Sequence, residues 1–182
     1  MTDTRWNLDA SDGELMLHTG VAGPAARMGH RLTIRMESWR VTVDWAAGTP
    51  TSADLEVDVD SLQVVGGEGG LTPLSAPEKA VARANALKTL DVSKFPTITF
   101  GADDITAVDG GYRMRGPLRI HGVSRATEVD LAVHHDGAVW RLRGETVVAQ
   151  SAFGMRPFSL MMGSLKVADA VTVSFTARHA QP

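Results

Sequence analysis

From Phe95 to Val133 apolar and polar residues alternate with a period of two, and that alternation leaves few folds open to the chain. Ile98 and Phe100 alternate with Thr97 and Thr99. Tyr112, Met114, Leu118 and Ile120 alternate with Arg113, Arg115 and Arg119. Thr127, Val129, Leu131 and Val133 alternate with Glu128, Asp130 and His134. Successive side chains of an extended strand point to opposite faces, so each run has one apolar and one charged face. Gly110-Gly111 and Gly122 fall where the chain must turn, and glycine enters the left-handed region without a Cβ clash. The stretch therefore predicts an antiparallel meander with one face turned to an interior.

The same pattern recurs on both sides of it. Leu15 and Leu17 alternate with Met16 and His18, and Leu32, Ile34 and Met36 with Arg31, Thr33 and Arg35. After Glu37-Ser38 the alternation restarts as Trp39, Val41, Val43, Trp45, which suits either a tight hairpin or one bent strand. Leu55, Val57 and Val59, then Trp140 and Leu142, then Val171, Val173 and Phe175, complete the set. Residues 5–9, containing Trp6, read as a lead-in, and residues 20–29 and 66–70 as loops. One helix is predicted at about 76–90, where Ser75-Ala76-Pro77-Glu78 forms a capping box ahead of an apolar stripe. Residues 151–166 are rich in Phe, Met and Leu but follow no period, so they are expected to tuck under the fold or line an opening. About eight strands with one inserted helix make an all-β chain. An antiparallel sheet of that size curls into a barrel or splits into a sandwich. An eight-stranded barrel has an interior that side chains fill or that holds one small ligand. Length and pattern fit one domain over residues 1–182.

Composition excludes several classes of function. A net charge of −3, from 18 basic and 21 acidic residues spread along strands, gives no support for electrostatic binding to nucleic acid or to an anionic membrane surface. With no cysteine, the chain has no disulfides, thiolate metal sites or thiol catalysis. No secretory signal and no apolar run long enough to span a bilayer is visible, so a cytoplasmic location is expected. Glu56, Asp58 and Asp60 read as the solvent face of a strand. The adjacent His134 and His135 point to opposite faces and are poorly placed to chelate together. Gly122-Val123-Ser124 lacks the second glycine and the strand-turn-helix setting of a nucleophile elbow. No catalytic residue, metal site or cofactor is assigned.

Phe95-Pro96-Thr97-Ile98-Thr99-Phe100, followed by Gly116-Pro117-Leu118-Arg119-Ile120-His121-Gly122-Val123-Ser124-Arg125, resembles the signature of the YceI-like proteins. Ser151-Ala152-Phe153-Gly154-Met155 is similar to the family's Ser-x-Phe-Gly-Ile segment, and Trp6-x-x-Asp9 to its opening motif. The resemblance implies an elongated, lipocalin-like antiparallel β-barrel with a helical insertion. It further implies a cavity for a long apolar ligand, with polyisoprenoids as the type case, and a possible homodimer.

On that reading the inward positions hold the ligand. They are Leu15, Leu17, Leu32, Ile34 and Trp39 from the first half of the chain, then Phe100, Met114, Ile120, Leu131 and Leu142, then Val173 and Phe175. Met155, Met161 and Met162 are a candidate portal, because methionine adapts to different shapes, and Phe158 is a further ligand-binding candidate. His30 is a candidate contact for a ligand head group at the barrel mouth. Apolar inward faces favour a non-enzymatic carrier over the alternatives, an isomerase or cyclase acting on a hydrophobic metabolite in the same cavity, or a filled barrel that works through its surface.

Overall fold

The structure, a computed structural model, describes residues 4–180. The single-domain expectation covered residues 1–182, so its first three and last two residues lie outside the described ones. Strands are numbered in chain order: β1 (Thr4–Asp9), β2 (Gly13–Ala22), β3 (His30–Met36), β4 (Trp39–Ala46), β5 (Thr49–Asp58), β6 (Leu62–Gly69), β7 (Thr97–Ala102), β8 (Asp104–Val108), β9 (Gly111–Ile120), β10 (Val123–His135), β11 (Val139–Ala149), β12 (Ser159–Leu160) and β13 (Leu165–Ala180). They form one antiparallel sheet in the order β1-β4-β5-β7-β9-β10-β11-β13-β2-β3-β6, with β8 on β9 and β12 on β13. The fold is the all-β, curled-barrel class that the alternation implies.

Thirteen strand segments stand where the sequence predicts eight, because long strands are broken by kinks. β3 and β4 do not pair with each other; β3 pairs with β2 and β6, and β4 with β1 and β5. Residues 30–46 are therefore one bent strand and not a hairpin. Opposite it, β5 and β6 bend at the same level, and the ladder continues through the bend from Glu37 N to Ser61 O (3.2 Å) and from Asp58 N to Ser38 O (3.0 Å). β1 and β2 likewise form one run, kinked where Asp9 and Asp12 exchange turn hydrogen bonds. β7 and β8 both pair with β9 across a break at Asp103. Counted as continuous runs, and leaving aside the two-residue β12, the strands number eight.

Three expectations for local structure change. Residues 5–9 are not a lead-in, because β1 pairs along its full length with β4, Trp6 opposite Val43 and Leu8 opposite Val41. Residues 20–22 extend β2, against β13. Gly66 and Gly67 are not linker, since they pair with Thr33 and Leu32 of β3. In each case neighbouring backbone overrides a weak local signal.

The helix α1 (Ala76–Leu90) has the predicted capping box, Ser75 N donating to Glu78 Oε2 at 2.7 Å. It lies along β6, which ends the strand order with β3 as its one strand partner among the described residues. Arg83 Nε donates to Leu62 O at 2.8 Å and Lys79 Nζ to Val65 O at 3.4 Å, so helix side chains satisfy carbonyls on that open edge. Ser75→Ala removes one cap partner and is expected to destabilise the fold by about 1 kcal/mol, a fall of roughly 2–4 °C in Tm by calorimetry. At Gly116 an added Cβ would overlap the Gly101 carbonyl oxygen of β7. Gly116→Ala is expected to destabilise by roughly 1–3 kcal/mol, read from the midpoint of a urea unfolding curve.

Candidate functional site

The inward faces of the curled sheet enclose an elongated cavity of about 720 Å³. On β13 the wall runs from Val167 to Phe175, eight residue steps, or roughly 26 Å of strand. The long axis of the cavity thus follows the strands.

The two ends differ. At the end where β1, β4, β11 and β13 meet, the inward positions carry large rings. Trp6 lies 4.5 Å from Trp45, 5.3 Å from Trp140 and 4.3 Å from His179, measured between ring centroids. Trp45 also meets Trp140 at 5.7 Å and Tyr112 at 6.3 Å, and His135 stacks on Trp140 at 4.1 Å. These six rings sit beyond the residues that line the cavity and form its floor. The opposite end is the mouth, bordered by Met28 and His30, by Leu74 to Val81 at the start of α1, and by Phe158, Leu160 and Leu165.

Most of the residues expected from sequence stand on this wall. Leu15, Leu17, Leu32, Ile34, Phe100, Met114, Ile120, Leu131, Leu142, Val173 and Phe175 line the barrel, and Met155, Phe158 and His30 lie toward the mouth. Three stand elsewhere. Trp39 is buried behind the wall with its ring edge-on to Phe175 at 5.3 Å, so Phe175 faces the cavity in its place. Met161 and Met162 are off the wall, at the exposed tip of the turn between β12 and β13. Val41, Val43, Leu55 and Val57 join the lining unpredicted, although they share the parity of residues singled out beside them. The missed contribution is α1, whose Val81, Ala82, Asn85, Ala86 and Thr89 face the cavity. Spacings of three and four residues show that face, but its alanines and polar residues give it no strong apolar contrast.

Several polar groups on the wall are committed to the fold. His30 Nε2 lies 2.7 Å from the Thr72 carbonyl, holding the 70–74 loop over the mouth. Thr19 Oγ1 accepts from Leu32 N at 2.9 Å, and Gln150 Nε2 donates to Ala168 O at 3.0 Å. Glu78, also at the mouth, is held below the usual carboxylate range by its hydrogen bonds with Ser75, with a smaller contribution from His30.

The sequence signature occupies a different place. His121, with φ of +52°, forms the β9–β10 turn; its Nδ1 lies 3.3 Å from Phe153 O and its ring 4.8 Å from that of Phe95. Arg125 Nε donates to Ala152 O at 2.8 Å, and Ser151 N and Oγ donate to Asp169 at 2.7 and 2.6 Å. Ile120, Phe153 and Met155 form a buried cluster beneath. These residues clasp the β9–β10 turn to the segment after β11 and so hold one side of the mouth. Ser124 is exposed. The acidic strand residues are also engaged: Glu56 with Arg40, Asp58 with the N–H of Asp60, and Asp60 with Arg83.

Among the described residues no helix is long and apolar enough to cross a membrane. The fold is similar to that of Burkholderia cenocepacia BcnA, with a TM-score of 0.72 and 19% identity over 94% of this chain and 99% of that one. It is also similar to the Campylobacter jejuni YCEI protein, with a TM-score of 0.61 and 13% identity over 82% of this chain and 84% of that one. No curated protein matches the sequence. The model of the YceI-like domain matches residues 6–179, and the chain belongs to that family.

Proposed function

We propose that this chain is a non-enzymatic carrier that holds one long, apolar, isoprenoid-like molecule in its barrel as a single binding unit. The observation that supports this reading most is the elongated cavity of about 720 Å³ with a mostly apolar wall. That volume falls in the roughly 300–1,000 Å³ range of small-molecule sites and argues against a barrel filled by its own side chains. Burial of hydrocarbon stabilises by about 25 cal/mol per Å² relative to water. A bilayer offers a guest the same gain, so exchange between barrel and membrane lies close to balance. That suits a carrier, which must release what it takes up.

A second reading, an isomerase or cyclase on the same ligand, draws on His30 and Glu78, the histidine and carboxylate that border the mouth together. Their existing bonds to Thr72 O and Ser75 favour a structural role for both. His30→Gln and Glu78→Gln are expected to leave ligand uptake within a factor of about three, whereas an enzyme using the pair would lose turnover by roughly a hundredfold or more.

Native mass spectrometry of protein purified from its own host, followed by solvent extraction, is expected to release an apolar molecule of defined mass. Met114→Trp adds an indole at mid-wall. It is expected to keep the far-UV circular dichroism of a β-barrel and to lose at least tenfold in affinity for N-phenyl-1-naphthylamine, followed by its fluorescence. A folded Met114→Trp protein that takes up the probe unchanged, together with a clean apo mass for the parent, would sink the proposal.

A further inference from the structure

Among the described residues several exposed large apolar side chains lie around the mouth, while Val108 on β8 and Val147 on β11 are exposed outside this group. Met28 is 45% exposed, Val81 61%, Leu160 51%, and Met162 at the adjoining turn is fully exposed. Met28, Val81 and Leu160 also line the cavity. The patch is thus a broken ring around the mouth, contributed by the turn before β3, by α1 and by the β12–β13 turn.

That last turn is strained. Met161 and Met162 both adopt positive φ, +53° and +56°, a conformation that Asn-Gly takes readily and that a branched or long side chain resists. Two consecutive left-handed methionines hold apolar side chains out in solvent, where they make no contribution to the core. Strain of this kind persists where the surrounding structure or a function maintains it.

The charges around the ring have one sign available. Arg27 precedes Met28, Arg156 precedes the β12 turn, and Lys166 follows it. None of these three makes a side-chain hydrogen bond or ion pair among the described residues, whereas most cationic strand residues do. The nearby acids are engaged, Glu68 with Arg31, Glu78 in the helix cap and Asp169 with Ser151.

We infer that the mouth is a docking surface for a lipid bilayer bearing anionic headgroups, inserting Met28, Val81, Leu160 and Met162 among the lipids with the three cations at headgroup level. The inference rests on the carrier reading for its purpose, though not for its geometry. Separate apolar tips around an opening, with Arg27 next to Met28 in the chain and Lys166 paired beside Leu160, match an interfacial seat, where apolar burial and attraction to anionic lipid add. A protein seated on the same ring would cover the mouth of the cavity.

The test is cosedimentation of the full chain with vesicles of phosphatidylcholine alone or with added phosphatidylglycerol. The parent protein is expected to bind both and to prefer the anionic vesicles. Met162→Gly removes the side chain and relaxes the turn; it is expected to raise Tm and weaken binding to both vesicles roughly tenfold. Arg27→Gln and Arg156→Gln are each expected to weaken binding to anionic vesicles about fivefold, and to leave N-phenyl-1-naphthylamine uptake in solution unchanged. A parent that binds neither vesicle overturns the inference, as does unchanged vesicle binding by Met162→Gly. A change of oligomeric state in Met162→Gly, seen by light scattering without loss of vesicle binding, also overturns it and assigns the ring to a contact between copies. Vesicle binding by a protein that takes up no probe supports the docking surface and overturns the carrier reading alone.

Discussion

The barrel depends on a backbone ladder that does not break where its strands bend. The ribbon of residues 30–46 against 49–69 leaves one wall, turns at Glu37–Ser38 opposite Asp58–Ser61, and enters the other wall with its hydrogen bonds continuous. At one level it supplies β4 and β5, flanked by β1 and β7; at the other it supplies β3 and β6, flanked by β2 and α1. A flat sheet of this size would leave its apolar face open to water. The bend lets a single sheet fold over its own apolar face, and it sets the volume enclosed. Trp39 and Val57 pair just beside the bend, and both are almost fully buried. The corner is thus filled while the interior above it stays open.

That division explains which parts of the molecule could be read from its sequence. Inward parity survives every kink, so Leu15, Ile34, Phe100, Leu142 and Phe175 reach the interior although several strand boundaries shift. Parity alone does not tell a residue that faces the cavity from one that packs behind it. Trp39 and Phe175 both alternate inward, and the bend turns one behind the other. The pairing of β3 and β4 with different partners was equally illegible, because a two-residue break of this kind precedes a hairpin as readily as a bend. The loop from 151 to 164 carries no period because it is a clasp and a turn, each residue placed by a neighbour distant in sequence.

The most recognisable residues of the chain are not those that face the cavity. His121, Arg125, Ser151 and Phe153 bind backbone and each other at the edge of the mouth. Their identities are constrained by geometry: a left-handed turn beside a ring, a guanidinium reaching a carbonyl, a hydroxyl on a carboxylate. The aliphatic wall demands only volume and apolarity, which many side chains satisfy. A family of such barrels can therefore keep its clasp while its lining drifts, and the clasp identifies the fold without naming the guest.

Among the described residues the floor of rings closes one end of the barrel and leaves the mouth at the other. An elongated guest of the proposed kind would enter and leave through that mouth, so the end that went in last would come out first. Whatever group it bore at its trailing end would stay beside His30, Glu78 and the start of α1 for the whole residence. Such a tube would sort the two ends of its cargo by polarity, shielding the hydrocarbon and displaying the terminus. A second protein that modifies or accepts such a cargo would meet its reactive end first and would not need to open the barrel.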